Sequence, residues 1–101
     1  KEVNEKVNPD IHTFTGIVAS GDQFIASKEA KEKIVTNFHA FCAEMEGAAI
    51  AHAAYLNKVS CVIIRAISDK ADNSAVMDYP EFEKRAIRQN VRLVTELVAE
   101  I

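Results

Sequence analysis

Residues 61–69, Cys-Val-Ile-Ile-Arg-Ala-Ile-Ser-Asp, form an apolar run with Arg65 inside it and Ser68 and Asp69 at its end. Buried strands seldom carry charge without a partner or a task, so Arg65 and the Ser68-Asp69 pair are candidates for a ligand site at the strand end. A second cluster, Ala43-Glu44-Met45-Glu46-Gly47, sets two carboxylates one residue apart among apolar neighbours. On a strand end the two would share a face. If Glu46 instead opens a helix, its carboxylate lies near the positive end of the dipole. Either geometry aims a carboxylate at a pair of hydroxyls. A plainer reading has Glu44 neutralising Arg65 within the sheet, Glu46 capping a helix and Ser68-Asp69 closing a turn. Spacing alone leaves both open.

The elements that must position these groups follow from periodicity and turn chemistry. Length and β-branched content read residues 61–67 as a buried strand emptying into a polar loop, the place where open α/β sheets bind ligands. Alternation puts Arg65 and Asp69 on one face, about 13 Å apart at roughly 3.3 Å per residue, neighbours in a site and not an ion pair. Residues 1–7 read as a helix, and residues 13–20 as a strand after the Asn8-Pro9-Asp10 turn, closed by Gly21-Asp22. Ser27 is a candidate N-cap for a solvent-facing helix over 28–37, with Ile34 and Phe38 on one face. Residues 41–45 suit a short strand, and 46–56 a small-residue helix able to pack close to a sheet. Asp78-Tyr79-Pro80-Glu81 has the form of a capping box opening an amphipathic helix to about Ala99. Val91, Val94, Leu97 and Val98 are its expected buried stripe. Strands alternating with helices predict an α/β sandwich, helices flanking a parallel or mixed sheet.

Composition narrows the partners. With 101 residues, 49% of them apolar, the chain can build one domain with a core. A net charge of -3 with scattered Lys and Arg offers no footprint for nucleic acid or a polybasic membrane patch. No apolar run reaches the roughly 20 residues of a membrane span and residues from Lys1 onward lack the basic-then-apolar pattern of a signal peptide, so the expected location is cytoplasmic. Cys42 and Cys61 lack metal or redox spacing and are expected to be buried free thiols. His12, His39 and His52 show no metal-ligand spacing, and Gly16 with Gly21 does not make a dinucleotide or phosphate loop. The start at Lys1 suggests part of a longer protein.

Three segments in order, Ser20-Gly21-Asp22-Gln23-Phe24-Ile25, then residues 43–52, then Arg65-Ala66-Ile67-Ser68-Asp69-Lys70-Ala71-Asp72, closely resemble the bacterial 5′-methylthioadenosine/S-adenosylhomocysteine nucleosidases. The resemblance covers essentially the whole chain and matches the C-terminal part of that family's fold. It implies a three-layer α/β/α sandwich with a mixed sheet, nucleoside phosphorylase-like, present here as the C-terminal part only. It also implies hydrolysis of an N-glycosidic bond with release of adenine, no cofactor, no metal and a homodimer. By resemblance, Asp69 protonates or hydrogen-bonds adenine N7 and Ser68 orients it. Phe24 stacks on the base, and the backbone of Phe24 and Ile25 reads its edge. Met45 packs under the ribose and Glu46 accepts its hydroxyls. Glu44, Arg65 and Ala71 complete the substrate surroundings, and Tyr79 stands where the family has a lid phenylalanine. Keeping an aspartic acid protonated at neutral pH costs about 4 kcal/mol; burial supplies part, and the rest is unnecessary where the proton passes to N7 as the bond breaks. The family's base for the attacking water is a glutamate in the N-terminal part, matched by no residue here, so the chain alone is expected to be inactive. Purine nucleoside phosphorylases share the Glu-Met-Glu and Ser-Asp signatures and are the alternative enzyme class. An AMP or futalosine nucleosidase is a further one, and a non-catalytic adenine-binding fragment the alternative outside enzymes.

Overall fold

The computed structural model describes residues 1–67 and 79–101, with the backbone alone at Tyr79. Among the described residues six elements follow one another: α1 (Glu2–Val7), β1 (Val18–Ser20), α2 (Lys28–Phe38), β2 (Cys42–Glu44), α3 (Gly47–Leu56) and α4 (Tyr79–Glu100). They fall into two units, Lys1–Thr15 with α4, and residues 16–67.

In the first unit α1 lies along α4. Ala86 and Leu93 are the buried apolar residues of that contact, with Phe82 and Leu97 half-buried, a spacing that repeats along one helix face. The expected stripe is therefore corrected: Val91, Val94 and Val98 are 59%, 48% and 65% exposed. α4 carries two apolar stripes, and the one that α1 meets is the one that is buried. A polar clasp completes the unit. Fully buried Asn8 donates from Nδ2 to Asn4 Oδ1 at 2.8 Å and to the Gln89 carbonyl at 2.9 Å, while Asn4 Nδ2 donates to Thr13 Oγ1 at 2.9 Å. Lys6 pairs with Glu96 at 2.9 Å and Glu100 at 3.3 Å on the exposed side, contacts worth little in stability.

In the second unit β1 and β2 pair in parallel, Val18 with Cys42, Ala19 with Ala43 and Ser20 with Glu44. Parallel pairing needs a crossover, and α2 supplies it. Ser27 accepts from the Ala30 N–H at 3.2 Å as the expected N-cap. α2 ends at His39, whose left-handed φ of 53° lets its N–H close on the Val35 carbonyl. α3 begins one residue later than expected and packs its small residues on β1. Two further expectations are corrected. The strand over 13–20 is restricted to Val18–Ser20, where β2 offers a partner, and Phe14 is 75% exposed. Residues 61–67 form no sheet ladder among the described residues: Val62 is 75% and Ile67 58% exposed, and Cys61 is exposed instead of buried. Strand propensity becomes a strand only where a neighbouring edge accepts its hydrogen bonds. Cys42 is half-buried, and both cysteines are free. Among the described residues the sheet has these two strands, and no helix is long and apolar enough to cross a membrane.

Candidate functional site

The paired strands end in register at Ser20 and Glu44, and this fixes the site. The chain turns from β2 into α3 within three residues, so Glu44 folds back under the helix start. Its carboxylate accepts from the Gly47 N–H at 2.7 and 2.8 Å and from the Glu46 N–H at 3.0 Å. Ser20 accepts from the Ala48 N–H at 2.9 Å and donates its hydroxyl to Glu44. Three of the helix's unsatisfied N–H groups are thus filled from the two strand ends. Glu44, and not Glu46, is the side chain that caps α3.

Arg65 joins the cluster through Nη2, which donates to Glu44 Oε2 and, at 2.7 Å, to Glu46 Oε2. Glu46 Oε2 also accepts from the Met45 N–H at 3.1 Å. Glu46 Oε1 receives no hydrogen bond from the described residues, and the side chain is 65% exposed. Glu46 is therefore anchored by one oxygen and open at the other. Met45, 47% exposed, flanks it.

Desolvation works to raise the Glu44 carboxyl, but the Ser20 hydroxyl, the Arg65 guanidinium and the N–H groups of Glu46 and Gly47 outweigh it and hold it down at about 2. The hydrogen bond to Glu44 raises Arg65 in turn. Burial pushes the Cys42 thiol up, helped by the Glu44 charge and opposed by Arg65, which leaves it protonated and unreactive. A carboxyl lowered on folding from 4.5 to about 2 stabilises the fold fully above pH 4.5, and that stabilisation drains away as the pH falls towards 2. Denaturant midpoints are expected to drop across this window in the parent protein and to drop less in Glu44→Gln.

Gly47 is buried because the carboxylate lies over it. A Cβ there would meet Glu44 Oε1 at 2.5 Å and Ser20 Oγ at 3.2 Å. Glu44 is held by four groups and cannot yield cheaply. Gly47→Ala is expected to cost about 1–3 kcal/mol, read as a lowered denaturant midpoint at unchanged m-value.

Beside the cluster lies a cavity of about 260 Å³ lined by Ser20, Gly21, Asp22, Ile25, Phe38 and Glu44 among others. Ligand cavities usually occupy roughly 300–1,000 Å³, so this one is the size of a subsite. Ile25 is at its wall, whereas Phe24 is 72% exposed and does not line it. Of the residues singled out in the sequence, Glu44, Met45, Glu46 and Arg65 come together at the β2–α3 junction. Ser68, Asp69 and Ala71 lie outside the described residues, as does the side chain of Tyr79. Ser20 escaped the residue-by-residue reading, although its position before Gly21-Asp22, at the predicted strand end, marked it.

The arrangement has clear relatives. The model of the phosphorylase superfamily matches residues 1–99. The chain belongs to the phosphorylase superfamily. Among the relatives of this superfamily member is an aminodeoxyfutalosine nucleosidase of Helicobacter pylori, 41% identical over 86 residues that cover 85% of this chain and 37% of that protein. Another is a 5′-methylthioadenosine/S-adenosylhomocysteine nucleosidase of Treponema pallidum, 44% identical over 85 residues covering 82% of this chain and 32% of that one. The structure of the Helicobacter pylori futalosine hydrolase superposes with a TM-score of 0.82 at 35% identity, covering 99% of this chain and 44% of that one. So does the Helicobacter pylori 5′-methylthioadenosine/S-adenosylhomocysteine nucleosidase bound to butyl-thio-DADMe-Immucillin-A, with a TM-score of 0.82 at 36% identity and the same coverage. This superfamily member spans less than half the length of these relatives, and it shares their nucleoside phosphorylase-like fold.

Proposed function

We propose that this chain is part of a nucleosidase that hydrolyses the N-glycosidic bond of adenine nucleosides bearing a 5′-substituent, with 5′-methylthioadenosine and S-adenosylhomocysteine as substrates. The observation that carries the reading is Glu46, anchored to Arg65 and the Met45 N–H through Oε2 and open at Oε1, the form required to accept hydrogen bonds from vicinal ribose hydroxyls. As the glycosidic bond stretches, the ribose gains positive charge, and a fixed carboxylate beside it stabilises that charge more than the neutral ground state. Met45 packs under the sugar, and the cavity beside Ile25 takes the base, with Phe24 turning onto its face. Asp69, steadied by Ser68, donates to N7, so that adenine leaves as a neutral base. Water attacks the anomeric carbon; its proton passes to a base outside the residues of this chain, and the products are adenine and the 5-substituted ribose. Activity therefore belongs to the intact enzyme, a homodimer.

Aminodeoxyfutalosine nucleosidases are among the relatives, which makes aminodeoxyfutalosine the second substrate to test. The deciding assay follows base release by the intact enzyme from methylthioadenosine, adenosylhomocysteine and aminodeoxyfutalosine, with and without phosphate. Release indifferent to phosphate is expected for the first two. Dependence on phosphate would make the enzyme a phosphorylase, and preference for aminodeoxyfutalosine by 10-fold or more would reassign the substrate.

A further inference from the structure

We propose that Glu44, set by Ser20, is a positioning residue: by sharing Arg65 with Glu46 it keeps the Glu46 carboxylate turned outward and free to accept ribose hydroxyls. The inference rests on the ribose-binding role of Glu46 given above. Three observations carry it. The Glu44 side chain is only 8% exposed and its oxygens are occupied by Ser20, two backbone N–H groups and Arg65, which leaves it no capacity for substrate. A single nitrogen, Arg65 Nη2, serves both carboxylates, so the hold on one sets the hold on the other. Ser20 ties Glu44 to β1 and to the Ala48 N–H, so the clamp spans both strand ends and the helix start.

Without the Glu44 charge, Arg65 has Glu46 as its one remaining carboxylate among the described residues. A tighter pair draws Glu46 away from the sugar and weakens its hydrogen bonds there. Glu44 thus acts through Glu46, and its effect should vanish when Glu46 is already neutral.

The test is a double-mutant cycle in the intact enzyme on methylthioadenosine, using Glu44→Gln, Glu46→Gln and the pair, with free adenine as inhibitor. Glu44→Gln is expected to lower kcat/KM by about 10-fold, mostly through kcat, and to lower it by less than 2-fold when Glu46→Gln is already present. Inhibition by adenine, which has no ribose, should change by less than 2-fold. Ser20→Ala, which leaves every charge in place, should reproduce a smaller loss with the same non-additivity and decides the matter if Glu44→Gln does not fold. Losses that multiply in the double variant, or adenine binding that weakens in step, would show a merely structural Glu44 and overturn the inference. An unchanged kcat/KM in Glu46→Gln would overturn the ribose-contact reading, and this inference with it.

Discussion

Asp69→Asn in the intact enzyme is expected to lower kcat on methylthioadenosine by about 10²- to 10⁴-fold, the usual contribution of a positioned general acid. The substitution keeps size and shape. An amide can still donate a hydrogen bond to N7, but it has no proton to give up as the base departs. The loss should thus appear equally in kcat and kcat/KM, the signature of an interaction made only in the transition state, with the thermal midpoint essentially unchanged. Asp69 follows directly on the segment that carries Arg65, and its role comes from the resemblance of residues 65–72 to the nucleosidases. Near-normal turnover would remove Asp69 from leaving-group chemistry and shift the search to another donor.

Glu46→Gln is the second large effect. A hydrogen bond to a charged group contributes about 1.5–3 kcal/mol, or roughly 10- to 150-fold. Two features of the site push the result upward. Oε1 of Glu46 receives no hydrogen bond from the described residues and is where the hydroxyls would bind, and the charge lost is the one proposed to oppose the developing positive charge of the ribose. Among the described residues glutamine also leaves Arg65 with Glu44 as its carboxylate partner, so the cation would face the sugar with less compensation. kcat should fall by more than KM rises, and a cationic transition-state analogue should lose more affinity than the substrate. Equal losses for substrate and analogue would make Glu46 a uniform binding group instead.

Local chemistry was legible in the residues alone. Ser27 and the pattern behind it announced α2 to within a residue, because an N-cap and its first turn are settled by groups three positions apart. The Glu-Met-Glu-Gly junction was placed between a strand and a helix for the same reason, and three ordered segments carried the resemblance that the superfamily match at residues 1–99 upholds. Partner choice was not legible. Nothing in the spacing told which of two apolar stripes on α4 would meet α1, and the stripe of Val91, Val94 and Val98 faces outward. Nor did it tell that residues 61–67 would lack a ladder among the described residues, since a strand depends on an edge that accepts its hydrogen bonds. Spacing offered Glu44 as the partner of Arg65 and Glu46 as the cap of α3, whereas in the structure Glu44 takes both roles. The parallel register of Ser20 with Glu44, between residues 24 apart, decided it by placing the Ser20 hydroxyl beside Glu44 and Ala48. The sequence by itself determined which groups could do chemistry and the helices and turns that carry them, because those rest on short-range hydrogen bonds and periodicity. Only the tertiary structure decided which carboxylate is spent on the fold and which stays open, because that depends on which distant donors reach it first.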